Sequence, residues 1–176
     1  MIPFKKSAVE SEAKFSEDEK HRYFLKKVWN PEGDIATVIM LNPTKKADAI
    51  RFDKSVMLMN NYFAEQIINE QPVYGGFIVV NLFSYRSKNE EVMKEETGYN
   101  ERFDEKTDEW ISRAVKQSKD VYIAWGSNKN RQRRINTVKN ILKKHDIIEV
   151  YRLDSNNHPS KGSGDFKFKK IKVSEI

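Results

Sequence analysis

Ile35-Ala36-Thr37-Val38-Ile39-Met40-Leu41-Asn42-Pro43-Thr44 is the stretch whose reading decides the fold. Its first seven residues are apolar and partly β-branched, the pattern of a short strand buried on both faces. Proline cannot donate to a strand ladder and pushes the residue before it towards extended backbone, so the strand ends at Asn42. In open α/β sheets ligands bind at that carboxyl edge. Asn-Pro is equally an ordinary way to start a turn, and the stretch alone leaves both readings open.

Working outward, two more runs share this character. Phe77-Ile78-Val79-Val80-Asn81-Leu82-Phe83 follows the turn signal Tyr74-Gly75-Gly76, and Asp120-Val121-Tyr122-Ile123-Ala124-Trp125-Gly126 closes on a glycine suited to a tight strand-to-helix turn. Ile147 to Leu153 makes a fourth strand, and Phe166 and Phe168 alternating with lysines permit an edge strand beyond it. Before them all, Tyr23 to Trp29 reads as a strand that would form a hairpin with Ile35 to Leu41 through Asn30-Pro31-Glu32-Gly33-Asp34. Helical spacing places a helix from Asp53 or Lys54 to Asn69, with Val56, Met59, Phe63 and Ile67 on its buried face. A short helix falls within Ser84 to Met93, another helix spans Phe103 to Ser118, and a last one buries Ile135, Val138, Ile141 and Leu142, with Ser127 or Asn128 as its cap. The order predicts an α/β fold, a three-layer α/β/α sandwich with a mainly parallel central sheet of about four core strands plus an N-terminal hairpin strand. Residues 1–20 read as a loosely ordered arm and 21–176 as a single domain.

The chain has 176 residues, enough for one sizeable core, and no cysteine, which removes disulfide frameworks and cysteine zinc sites. Without a signal peptide or long apolar run, it reads as a cytoplasmic protein with no membrane partner, and as a monomer. The net charge of +6 is unevenly spread: Lys119 to Ile176 holds 14 Lys and Arg against 6 Asp and Glu, whereas the first 118 residues hold 18 against 20. Arg131, Arg133, Arg134 and the later lysines, Lys161 among them, therefore either face a polyanion or are simply solvated. There is no Gly-rich phosphate loop, metal-ligand spacing or nucleophile elbow, so no cofactor or metal is expected.

What the strand ends deliver to one edge is Asn42, Asn81 and Trp125-Gly126, and the loop after the fourth strand adds His158-Pro159-Ser160. Leu41-Asn42-Pro43-Thr44, Ala47-Asp48-Ala49, Tyr74-Gly75-Gly76, Asn81 to Ser87, Ala124-Trp125-Gly126 and His158-Pro159 together resemble the bacterial and phage family called domain of unknown function 1643, over roughly residues 36 to 160. More distantly, Asn42-Pro43, Val79-Val80-Asn81, Ala124-Trp125-Gly126 and His158-Pro159-Ser160 are similar, in order and in strand-end placement, to the motifs of the uracil-DNA glycosylase superfamily. Two departures stand out: Met40 occupies the place of that family's motif glycine, and Lys161-Gly162-Ser163 replaces the segment carrying its duplex-wedging leucine.

The second resemblance implies hydrolysis of an N-glycosidic bond to a base, with nucleic acid, in the first instance DNA, or a nucleotide as partner. Such a site must bind a flat amide edge and stabilise an anionic leaving base. Asn81 would read the base, His158 would donate to its carbonyl, and Asn42 would orient water without being able to take its proton. Asp48 or Asp53 are the carboxylates near enough in sequence to serve as a base, though both also suit loop or capping roles. Phe83, Tyr85 or Trp125 could stack on the base, with core packing as the rival role for Trp125, and Ser160, Lys161, Arg131, Arg133 and Arg134 could meet the backbone. The alternative is a module of the same fold that binds nucleic acid or a nucleotide without chemistry; a small-molecule enzyme with a merely solvated basic third is the remaining reading.

Overall fold

The computed structural model describes residues 8–69, 71–126, 131–154 and 167–176. Its elements in chain order are β1 (Glu10–Phe15), β2 (Arg22–Val28), β3 (Ile35–Met40), α1 (Lys54–Ala64), the two-residue strands β4 (Ile67–Ile68) and β5 (Gln71–Pro72), β6 (Gly76–Asn81), α2 (Glu90–Glu96), α3 (Glu105–Lys116), β7 (Asp120–Ala124), α4 (Gln132–Lys144), β8 (Glu149–Leu153) and β9 (Phe168–Lys172). The fold is mixed α/β. Seven strands form one mainly parallel sheet in the order β1-β2-β6-β3-β7-β8-β9. β6, β3, β7 and β8 run parallel to one another, and β2 and β9 flank them antiparallel.

Alternation along the central strands divides the core in two. Ile39, Ile78, Val80, Val121 and Ile123 pack against Ile111, Ala114, Val138 and Leu142 of α3 and α4. From the same strands, Val38, Met40, Phe77 and Val79 point the other way, onto Val56, Met59 and Phe63 of α1. α1 is capped by Asp53 and α3 by Asp104, whose side chains accept from the backbone N–H groups of Val56 and Thr107.

Three expectations need correction. β2 and β3 do not pair as a hairpin: β6 lies between them, antiparallel to β2 and parallel to β3. β3 and β6 are apolar on both faces and gain most from interior positions, whereas β2, with its three cations, belongs further out. The turn after β2 steps over the start of β6, where the Trp29 and Asn30 N–H groups both donate to the Gly75 carbonyl (2.8 and 2.9 Å) and Gly75 N–H donates to Asp34 (2.7 Å). Second, α1 stops at Ala64 and not at Asn69. Gln66 closes it through its side chain on the Tyr62 carbonyl (3.0 Å), Asn69 turns the chain at φ 50°, and Ile67, expected on the buried face, is 61 % exposed. Third, part of the supposed loose arm is structured, because Glu10–Phe15 pairs with β2 as an outer strand. The expected caps Ser127 and Asn128 lie outside the described residues. No helix among the described residues is long and apolar enough to cross a membrane.

Candidate functional site

The register brings the chemistry to one edge. Met40 pairs with Asn81 on one side and with Ala124 on the other, so β3, β6 and β7 end level, and Asn42 follows two residues beyond Met40. A cleft of about 500 Å³ opens over this edge, lined by Met40, Asn42 and Asn81 from the strand ends, by Thr44, Asp53 and Ser55 around the start of α1, and by Lys88, Asn89, Glu90 and Glu91 at the start of α2. Asn42 is oriented by its amide N–H, which donates to the Ser87 carbonyl (3.1 Å). Asn81 is 3 % exposed, and its Oδ1 is enclosed with no hydrogen-bond partner. Buried polar atoms are almost always paired, so this enclosed Oδ1 beside the cleft makes Asn81 a candidate binding residue.

Arg22, the first residue of β2, also lines the cleft and is 2 % exposed. Its Nη1 donates to the Ala47 carbonyl (3.1 Å), its Nε is enclosed without a partner, and no carboxylate lies within ion-pair distance among the described residues. Burial pulls its pKa down to about 10, opposed by the nearby Asp53 carboxylate. Five residues along, buried Lys27 donates to the Ala49 carbonyl (2.7 Å) and sits 4.1 Å over the Phe52 ring. Two interior cations thus hold the loop that runs from Asn42 to Asp53. Neither is among the residues to which the sequence points: Lys27, a cation inside an apolar run, carries a signal that could have found it, whereas Arg22, just ahead of that run, carries none.

Asp53 caps α1 with Oδ1 (2.8 Å to Val56 N) and accepts the Thr44 hydroxyl on Oδ2 (2.6 Å), so both its oxygens are engaged. The opposite wall depends on Arg131. Its guanidinium donates to both Glu90 oxygens and to the Trp125 carbonyl, tying α2 to the end of β7. That bond holds Glu90 below the usual carboxylate range, against the opposing effect of its burial.

The other residues to which the sequence points lie elsewhere. Asp48 is not part of the cleft lining; its carboxylate accepts from the Ile50 and Arg51 N–H groups and pairs with the Arg51 guanidinium (2.7 Å). Phe83 is buried edge-on to Tyr99, and half-buried Tyr85 stands edge-on to His21, so neither ring borders the cleft. Trp125 is buried in the core on the α3 and α4 side. Arg134 is interior: it donates to the Leu82 carbonyl (2.9 Å), pairs with Asp108 (2.7 Å) and covers the Phe103 ring. Arg133 is exposed on α4. His158, Ser160 and Lys161 lie outside the described residues.

A Ser–His pair exists but is structural. His21 Nδ1 meets Ser84 Oγ at 2.8 Å, and Ser84 continues through Thr107 to Asp104, which accepts from Tyr23. Ser84 is fully enclosed, and burial holds His21 below its usual pKa. The network joins β2, the segment after β6 and the cap of α3, and has no nucleophile to offer a substrate.

Fold and site together define a mixed α/β protein with a mainly parallel sheet and an amide- and guanidinium-lined cleft at the carboxyl ends of its strands. The chain belongs to the family described as protein of unknown function DUF1643, whose model matches residues 22–160, from Arg22 through Asn42 and Asn81 to Ser160. No curated protein and no solved structure matches it.

Proposed function

We propose that the cleft receives a single nucleobase and that the protein is a DNA-glycosylase-like hydrolase, an α/β/α sandwich of the uracil-DNA glycosylase type, acting on a base in nucleic acid, DNA in the first instance. The observation that carries the reading is that Asn42 and Asn81 line one cleft, with the Asn81 Oδ1 enclosed and without a partner. An amide offers one donor and one acceptor side by side, which matches the edge of a lactam base. Asn42, fixed by Ser87, orients the attacking water. His158, assigned by resemblance, donates to the departing base, and Ser160, Lys161 and exposed Arg133 meet the phosphates.

A second reading is favoured by one specific observation. Of the three carboxylates lining the cleft, Asp53 has both oxygens engaged and Glu90 is paired with Arg131, leaving Glu91 on the rim. With Asn42 unable to accept a proton, the same cleft serves a module that binds a base without cleaving it.

The deciding assay is release of free base from oligonucleotides carrying uracil, deaminated purines or phage-type modified pyrimidines, read as strand scission at the abasic product. Release by the wild-type protein is expected, with His158→Ala slowing it by about 10²-fold or more while binding survives. Binding without release selects the binding module. Neither binding nor release returns the protein to small-molecule chemistry.

A further inference from the structure

We infer that the loop from Thr44 to the start of α1 is a docking surface for an unpaired nucleic-acid strand, in which Ile50, Phe52 and Met57 meet the faces of bases next to the one in the cleft and Lys46 and Lys54 meet their phosphates. The inference rests on the base-pocket reading above and adds the form of the substrate and the place of its neighbouring nucleotides. Thr44 and Asp53 at the two ends of the loop line the cleft, as does Ser55 in α1, so the loop forms part of its rim. Ile50 is 87 % exposed, Phe52 43 % and Met57 46 %. Phe52 precedes the Asp53 cap and Met57 is the fourth residue of α1, positions that lie side by side where a helix starts. Single exposed apolar residues scattered over a surface are ordinary, whereas three large ones within residues 50–57, beside a cleft, mark a contact surface.

The loop that carries them is pinned. Its Lys45, Ala47 and Ala49 carbonyls accept from Arg86, Arg22 and Lys27 (3.1, 3.1 and 2.7 Å), and a turn closed from the Asp48 N–H to the Arg51 carbonyl (3.1 Å) contains Ile50. Lys27 also backs the Phe52 ring at 4.1 Å. Groups already ordered lose little entropy on association, so apolar surface held out on such a loop is prepared for a partner.

Charge identifies that partner. The carboxylates of the loop are spent, Asp48 on Arg51 and Asp53 on the start of α1 and on Thr44, while Glu90 is spent on Arg131. Lys46 and Lys54 are exposed and form no ion pair among the described residues, and the same holds for Lys88 on the other side of the cleft, against an unpaired Glu91. Apolar surface flanked by free positive charge matches a strand of unstacked bases on a phosphate backbone. A duplex keeps its base faces stacked inside and would set Ile50 against charged backbone, so this loop favours the unpaired strand.

The test measures fluorescence anisotropy of a labelled DNA of ~9 nucleotides, single-stranded or annealed to its complement, with the wild-type protein, Ile50→Ser, Ile50→Trp and the double variant Lys46→Glu, Lys54→Glu. The single strand is expected to bind about 10-fold or more tightly than the duplex. Ile50→Ser should weaken the single strand about 5- to 20-fold and leave the duplex unchanged, and Ile50→Trp should bind the single strand at least as tightly as the wild type, because a base can stack on the indole. The double lysine variant should lower the salt slope for the single strand by about 0.7 for each phosphate no longer neutralised. If the wild-type protein binds neither form, the base-pocket reading fails and this inference with it. If DNA binds but Ile50→Ser binds the single strand like the wild type, if the duplex binds equally well, or if polyglutamate competes as effectively as unlabelled strand, the base pocket stands and the loop assignment is overturned. Should Ile50→Ser melt at a lower temperature than the wild type, the wild-type preference between the two forms and the Ile50→Trp comparison still decide.

Discussion

Asp48 spends its carboxylate on its own loop, accepting from two backbone N–H groups and the Arg51 guanidinium, and these bonds lower its pKa from 3.8 to about 2. A depressed carboxylate stabilises the folded state wherever it is ionised there: the contribution is complete above about pH 4 and disappears as pH falls through about 2. Wild-type protein and Asp48→Asn should therefore differ in thermal stability at neutral pH and converge in strong acid. Melting temperatures that stay apart by the same amount down to pH 2 would sink this account of Asp48. In sequence the residue reads equally as a possible base, because an aspartate near a strand end is common to both roles, and only its hydrogen bonds separate them. Arg22 is the reverse case, since a charged residue opening a strand reads as solvated until the fold encloses it.

β6 reaches the middle of the sheet only because the turn between β2 and β3 passes over its first residues without a side chain in the way. A Cβ on Gly75 would stand 2.0 Å from the Asn30 carbonyl oxygen and 2.7 Å from the Gly33 Cα, both backbone atoms that cannot move aside cheaply. Gly75→Ala is accordingly expected to cost about 3 kcal/mol or more, read by chemical denaturation. Destabilisation by less than about 1 kcal/mol would show that the crossing is not as tight as described. The Tyr74-Gly75-Gly76 signal is legible as a turn, but the turn's partner is not. Which strands pair depends on contacts far apart in the chain, and the proximity of Tyr23–Trp29 to Ile35–Leu41 in sequence favours the hairpin that β6 in fact splits.

Across the molecule, the basic last third separates into cations with different duties. Arg131 and Arg134 are buried and paired with Glu90 and Asp108, whereas Arg133, Lys167 and Lys169 are exposed. Reversing Arg133, Lys167 and Lys169 to glutamate should weaken oligonucleotide binding alike for all sequences and flatten its salt dependence, by about 0.9 in slope for each duplex phosphate no longer neutralised. Unchanged affinity at low salt would remove the polyanion from the account. Reversing Arg131 or Arg134 should instead lower the melting temperature sharply, because it puts a negative charge at a buried position facing the Glu90 or Asp108 carboxylate.

Apolar, β-branched runs with a proline, a glycine or an asparagine at their ends were enough to place β3, β6 and β7, the helices between them and the strand-end positions of Asn42 and Asn81, because periodicity and chain-breaking chemistry are local properties of adjacent residues. The insertion of β6 between β2 and β3, the early end of α1, the outer strand β1, the removal of Phe83, Tyr85 and Asp48 from the cleft and the entry of Arg22 into it all depended on which distant segments meet. Enclosure and hydrogen-bond satisfaction are properties of the assembled space around an atom. The unpartnered Oδ1 of Asn81 and Nε of Arg22 are enclosed only once the strands are assembled.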